Sequence, residues 1–345
     1  KALTGYKRSG RYHSLSAEHR KENFMQEKNK MSLEGFSRCI LLDFQRRLGN
    51  RYSVRVTEVT KNNGVKLTGL VIKAPNQNIS PTIYLNGYYQ QYCDNEVDDD
   101  SLKDVEHHIY LTYLKECVEV GRNNVSFEFF RNWETVKDRI CCKLVSYKKN
   151  EEWLFQVPHF KVLDLALVFY YLYEGKKLGM GSIQIYDTHL AMWGVTKEEL
   201  LAVAKENVPR LLPCEVVSMS SLIMGLDEKE ITEKERAERL FYAEDCPMYI
   251  VSNDRKMSGA VYMFDVNKLK QFSEKHNNAD VWILPSSVQE TIWIPDSGRE
   301  SPRELLTMVR EVNGTCVHPE EVLSNNVYKY VYATGKVVIG GMSYE

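Results

Sequence analysis

The side chains best placed for chemistry are Ser286 and Ser287, which follow the apolar run Ile283-Leu284 and Pro285 and would stand at a strand end facing solvent. A serine hydroxyl becomes a nucleophile beside a base, and the neighbouring sequence supplies none. His276 and His318 reach the pair only through the fold. The plainer reading is a Pro-Ser-Ser turn whose hydroxyls satisfy backbone groups. Asp265, Asp280, Glu290 and Asp296 flank the same run. Carboxylates at loop ends are expected of any soluble sheet protein, so they do not by themselves define an acid–base pair.

Other chemistry-bearing types are dispersed. His107 and His108 are adjacent on an expected helix, so at most one faces a given site, and no H-E-x-x-H occurs; no metal site is expected. Gly175 to Gly181 holds three glycines and two lysines, yet it lacks the phosphate-loop order and leads into a strand. A hairpin loop is the plainer reading, and no cofactor is called for. The eight cysteines show no C-x-x-C spacing, and Cys141-Cys142 reads as packing of reduced thiols. Tyr328, Tyr330 and Tyr332 alternate along one face, which either stacks on a ligand or packs on the helix Arg303 to Val312. Residues 1 to 30 carry eight Lys or Arg against three Glu. This arm, with Lys7, Arg8 and Arg11, reads as a flexible, solvated extension, with a basic tail for nucleic acid or a protein partner as the alternative.

Elements must hold these residues in place. Phe36, Ile40, Leu41, Phe44 and Leu48 recur at helical spacing before Gly49, which sits where a helix-terminating glycine belongs. Tyr52 to Ile72 reads as a hairpin around Lys61-Asn62-Asn63-Gly64. Thr82 to Tyr92 fits a short strand or a helix, and a helix follows from Ser101 to Val120. Phe160 to Tyr173 reads as a strand, with a helix as the alternative, paired to Ser182 to Tyr186. Thr196 caps a helix that Pro209 should end. Met248 to Ser252 and Ala260 to Phe264 read as strands, then a helix from Val266 to His276, then strands Val281 to Leu284 and Thr291 to Ile294. Pro302 opens a helix, and Tyr328 to Ile339 closes as a hairpin. Recurring hairpin-plus-helix units give an α+β fold of antiparallel sheets with helices mainly on one face.

The chain has 345 residues, enough for two domains, expected at 31–225 and 247–345 with a charged helical connector at 226–246. Its formal net charge of −2 offers no general field for nucleic acid or an anionic membrane. No apolar run approaches the roughly 20 residues a membrane helix needs, and the N-terminal residues do not read as a secretory signal. The expected compartment is the cytoplasm.

Five phrases in order carry a resemblance: Lys61-Asn62-Asn63 with Val65-Lys66-Leu67 and Gly69-Leu70; Asn78-Ile79-Ser80-Pro81; Trp193-Gly194-Val195-Thr196; Asn207-Val208-Pro209-Arg210; and Ile283-Leu284-Pro285-Ser286-Ser287. Over about residues 34 to 332 the chain resembles a bacterial family catalogued as domain of unknown function 5688. The resemblance implies no activity. Where it implies a histidine after the Pro-Ser-Ser phrase, this chain has Gln289, which speaks against a Ser–His pair. The expectation is a non-enzymatic protein-binding or adaptor module. The alternatives are a hydrolase using Ser286 or Ser287, and nucleic-acid binding through the arm.

Overall fold

The computed structural model describes residues 30–73, 82–94, 99–118, 128–175, 179–225 and 248–340, an α+β chain with three antiparallel sheets. Packing groups them into two units, one within 30–59 and 67–118, the other of 60–66 together with 128–340. The chain therefore does not divide where its composition changes. Strands on either side of the charged segment 226–246 pair with each other, so one sheet runs across the expected boundary. That segment lies outside the described residues, as does the basic arm with Lys7, Arg8 and Arg11.

In the first unit, helix α1 (Leu33–Leu48) begins where Ser32 Oγ accepts from Gly35 N–H at 3.2 Å and ends at Gly49, whose φ of 68° suits glycine. It buries Phe36, Ile40 and Phe44. Strands β1 (Ser53–Thr60), β2 (Lys66–Lys73) and β3 (Thr82–Tyr84) form a sheet in that order. The stretch expected as strand or helix is both, because β3 gives way to α2 (Asn86–Asp94). At the junction Asn86 Oδ1 accepts from Thr68 N–H at 2.8 Å. Helix α3 (Asp99–Thr112) completes the unit and runs on into a wider turn to Val118.

The second unit opens with β4 (Ile140–Ser146), β5 (His159–Val162), β6 (Leu165–Gly175) and β7 (Gly179–Gln184), with β6 paired to each of the others. The run 160–173 is thus a hairpin and not one strand. Leu163 takes a φ of 56° and the next side chain, Asp164, is engaged by three donors. Helices α4 (Asp187–Trp193) and α5 (Lys197–Leu211) follow, the latter with Thr196 and Glu199 capping each other. Pro209 lies inside α5 and does not stop it. In the last turn its missing N–H removes a single bond, and burial of Val208 and Leu212 carries the helix past it.

Strand β8 (Cys214–Ser218), helix α6 (Met219–Gly225) and strand β9 (Tyr249–Asn253) come next. Residues Gly259–Phe264, expected as a strand, form a 3-10 helix. Ser258 before it has a φ of 55°, and Gly259 is pressed between Ser252 and the Gln289 carbonyl. Helix α7 (Val266–Lys275), strands β10 (Val281–Leu284) and β11 (Thr291–Pro295), helix α8 (Pro302–Thr315) and the hairpin β12 (Tyr328–Val331) and β13 (Lys336–Ile339) complete the chain. The six-stranded sheet runs β13-β12-β10-β11-β9-β8. One face carries Ile283, Trp293, Tyr328 and Tyr330 into the main core with α7, and the other packs Trp282 and Ile294 against Leu305 and Val309 of α8.

Candidate functional site

The residues singled out in the sequence do not assemble into one site. Ser287 is buried, its Oγ accepts from Gln289 N–H at 3.0 Å, and its own N–H donates to Glu290 O at 3.1 Å. It is a turn-forming serine. Among the described residues, neither Ser286 Oγ nor Ser287 Oγ has a histidine or carboxylate partner. His276 is engaged elsewhere, with Nε2 3.1 Å from Tyr249 OH. Tyr328 and Tyr330 are buried in the core, opposite the face that meets α8, and cannot offer rings to a base; Tyr332 is half-buried. Asp280 and Asp296 meet at Lys329, 3.1 and 2.7 Å from its Nζ, and Asp265 caps α7. These acids brace the fold. Among the described residues, no three His, Cys, Asp or Glu side chains could share a metal ion.

Cys141 and Cys142 are buried on opposite faces of β4, and burial pushes both thiols up to about 12. At neutral pH neither is a thiolate. In the folded protein a maleimide should modify exposed Cys316 while both buried thiols stay unmodified until denaturant is added, as peptide mapping would record.

A different place in the second unit has the makings of a site. Alternation on β4 puts Lys143 and Val145 on one face, and the register Lys143↔Val168 and Cys141↔Tyr170 makes Tyr170 a diagonal neighbour of Lys143 on that face. Tyr170 lies opposite Gln184, so Ser182 of β7 shares the face too. Over it close the Lys61-Asn62 turn, the Met257-Ser258 loop, the Val288-Gln289 loop and the Glu320-Glu321 loop. They line an open pocket of about 290 Å³, near the lower end of the range for small-molecule pockets.

The loops are built to hold this shape. Asn63 takes a φ of 62°, a left-handed conformation that asparagine tolerates better than most residues. Its Nδ2 donates to the carbonyls of Pro319 and Val322 at 2.9 and 2.7 Å, and its N–H donates to Asn150 Oδ1 at 2.8 Å. Asn62 Nδ2 donates to Glu320 O at 2.6 Å. Across the cavity Gln289 Oε1 accepts from Ser258 N–H at 2.7 Å, and its Nε2 donates to Glu321 Oε1 at 3.3 Å. An added Cβ at Gly259 would lie 2.5 Å from both Gln289 O and Ser252 Oγ. Gly259→Ala should displace the 288–289 loop at a cost of about 1–3 kcal/mol, seen as an earlier urea midpoint.

Asn62 and Tyr170 are among the residues that line the pocket, and Asn62 Oδ1 and Tyr170 OH are buried atoms without a hydrogen-bond partner of good geometry, the Ser258 hydroxyl interacting with Tyr170. Buried polar atoms are paired in the great majority of cases, and these two belong to residues that line one pocket. Lys143 is half-buried, and no carboxylate lies within ion-pair distance of it among the described residues. Desolvation, and then the charge of Lys61, hold its ammonium below the ordinary lysine value. Burial pushes the Tyr170 hydroxyl far up, so it stays a protonated donor.

Fold and cavity together define an α+β protein with a small polar chamber on one sheet face. The chain belongs to a family of unknown function (DUF5688), whose model matches residues 33–331. No curated protein and no solved structure matches it. Two of the phrases that carry the family resemblance converge on the chamber, Lys61-Asn62-Asn63 directly and Pro285-Ser286-Ser287 through the Val288-Gln289 loop it starts. Sequence reading passed over Lys143. Its signal was a lone lysine within Ile140-Cys141-Cys142-Lys143-Leu144-Val145, an otherwise apolar strand.

Proposed function

We propose that the second unit is a binding module for a small organic acid, seated in the cavity with its anionic group against Lys143. The observation that carries this reading is a half-buried lysine without a carboxylate partner, lining the same pocket as two residues with orphaned polar atoms. An ammonium in such a place is costly unless an anion joins it, so a carboxylate ligand offsets a desolvation cost already present in the empty fold. Lys61 adds a second positive charge to the same wall, while Tyr170 OH donates and Asn62 Oδ1 accepts. Glu320 and Glu321 line the same pocket, on the loop that Asn62 and Asn63 hold, and disfavour ligands with negative charge at both ends.

The Tyr-rich edge that favoured an adaptor is buried at Tyr328 and Tyr330, and Ser286 and Ser287 lack a base. Neither protein binding nor hydrolysis gains a specific observation. Free cysteines among the described residues support a reducing, cytoplasmic setting, and the family resemblance supports a bacterial one. None of the described helices is long and apolar enough to cross a membrane.

Lactate at millimolar concentration is a suitable probe. It should raise the melting temperature of the full chain by several degrees and leave Lys143→Met unmoved. Equal shifts in both proteins would remove Lys143 from the reading.

A further inference from the structure

The cavity wall supplies more than a counterion. Lys143 and Tyr170 are diagonal neighbours on adjacent strands, a separation of about 7–8 Å that two long side chains bridge when a small molecule lies between them. An amine there meets a phenol without a hydrogen-bond partner of good geometry, with the carboxylates of Glu320 and Glu321 lining the same chamber. We propose that Lys143 condenses with the carbonyl of a small oxo acid to form a reversible imine, with Tyr170 hydrogen-bonded to the carbonyl oxygen. This rests on the small-acid reading above and adds that the ligand bears a ketone or aldehyde.

The step balances without redox chemistry. The unprotonated Nζ of Lys143 attacks the carbonyl carbon, a C–N bond forms, and the carbonyl π pair moves to oxygen. Nitrogen gives up one proton and oxygen gains one, Glu321 being the carboxylate in the chamber held by Gln289 and suited to relay it. The carbinolamine hydroxyl takes a proton from solvent and leaves as water while the nitrogen lone pair closes the C=N bond, and the protonated imine returns one proton to solvent. The other charged groups lining the pocket are Lys61, Glu320 and Glu321. Lys61 adds to the depression of the Lys143 ammonium. Desolvation together with a neighbouring cation is a recognised way to free a lysine amine near neutral pH.

The full chain incubated with pyruvate and cyanoborohydride at neutral pH should acquire one reduced adduct. Peptide mapping should place it on Lys143, modified at least about tenfold faster than the average surface lysine, whose amine is almost wholly protonated. Tyr170→Phe, which removes only an orphaned hydroxyl, should fold normally and trap about tenfold more slowly. Lys143→Arg keeps the cation, so it should still respond to lactate and should trap nothing at that position. Lactate, which has no carbonyl, separates the two claims. If lactate stabilises the wild type while pyruvate is trapped only on surface lysines in proportion to their exposure, condensation is overturned and acid binding stands. If lactate has no effect and pyruvate is not trapped at Lys143, both are overturned.

Discussion

Replacing Lys143 by Met should make the protein more stable while abolishing its response to lactate. A methionine fills the same volume without an uncompensated amine, and removing such a group relieves about 1–3 kcal/mol. A gain of that size in a unit of this length raises the melting temperature by a few degrees per kcal/mol. The pH dependence carries a definite sign. Burial and Lys61 lower the folded-state value for Lys143, so the folded wild type bears the full cost of the charge below that value. The cost falls as pH rises from there toward the unfolded value of about 10.4. The advantage of Lys143→Met is therefore greatest at neutral pH and shrinks in alkali, which urea melts across that range would record. An advantage that grew with pH would mean that Lys143 is ion-paired in the fold.

Asp164→Ala should be the most damaging single change outside the apolar core. The Asp164 carboxylate accepts from Tyr328 OH at 2.7 Å, Ser324 Oγ at 2.7 Å and Asn326 Nδ2 at 3.0 Å. It thereby ties the β5–β6 turn to the strand β12 of the other sheet. Tyr328 is fully buried, so truncating the acid strands a phenol that cannot turn to water. Orphaning a buried donor costs about 1–3 kcal/mol, and hydrogen bonds to an ionised acceptor lie at the upper end, so a loss of about 3 kcal/mol is expected. Asp164→Asn retains an acceptor oxygen and should lose less. Equal melting temperatures for wild type and Asp164→Ala would show that the two sheets hold together without this link.

The periodic elements were legible because their signals are local. Gly49 ends α1, Pro302 opens α8, and Lys61 to Gly64 turns the first hairpin. The misreadings are places where distant packing decided the conformation. Ala260 to Phe264 is an apolar run that suits a strand, and it coils because Gly259 is pressed against Ser252 and Gln289. Phe160 to Tyr173 is likewise mostly apolar, with Lys161 and Asp164 as its charged residues. Its turn at Leu163 and Asp164 is held by Ser324, Asn326 and Tyr328, more than 150 residues away. Pro209 stops helices as a rule, and here burial on either side outweighed one lost bond.

The cavity was less legible than the fold for the same reason. Its wall comes from β4, β6 and β7, and its lid from four loops scattered between Lys61 and Glu321. The sequence marked the Lys61-Asn62-Asn63 and Pro-Ser-Ser phrases as distinctive but drew attention to the wrong side chains within the second. The serines build the turn, and Gln289, noted only as a departure from histidine, braces Ser258 and Glu321 across the chamber. A lysine inside an apolar strand is the signal that reading missed.

The most direct measurement is an NMR titration of the Lys143 side chain in the full chain, assigned by its absence in Lys143→Met, with and without lactate. The account predicts that Lys143 titrates below the ordinary lysine range when the cavity is empty and moves upward when lactate is added, because a bound carboxylate favours the ammonium. A Lys143 that titrates with the surface lysines and does not respond to lactate would contradict it.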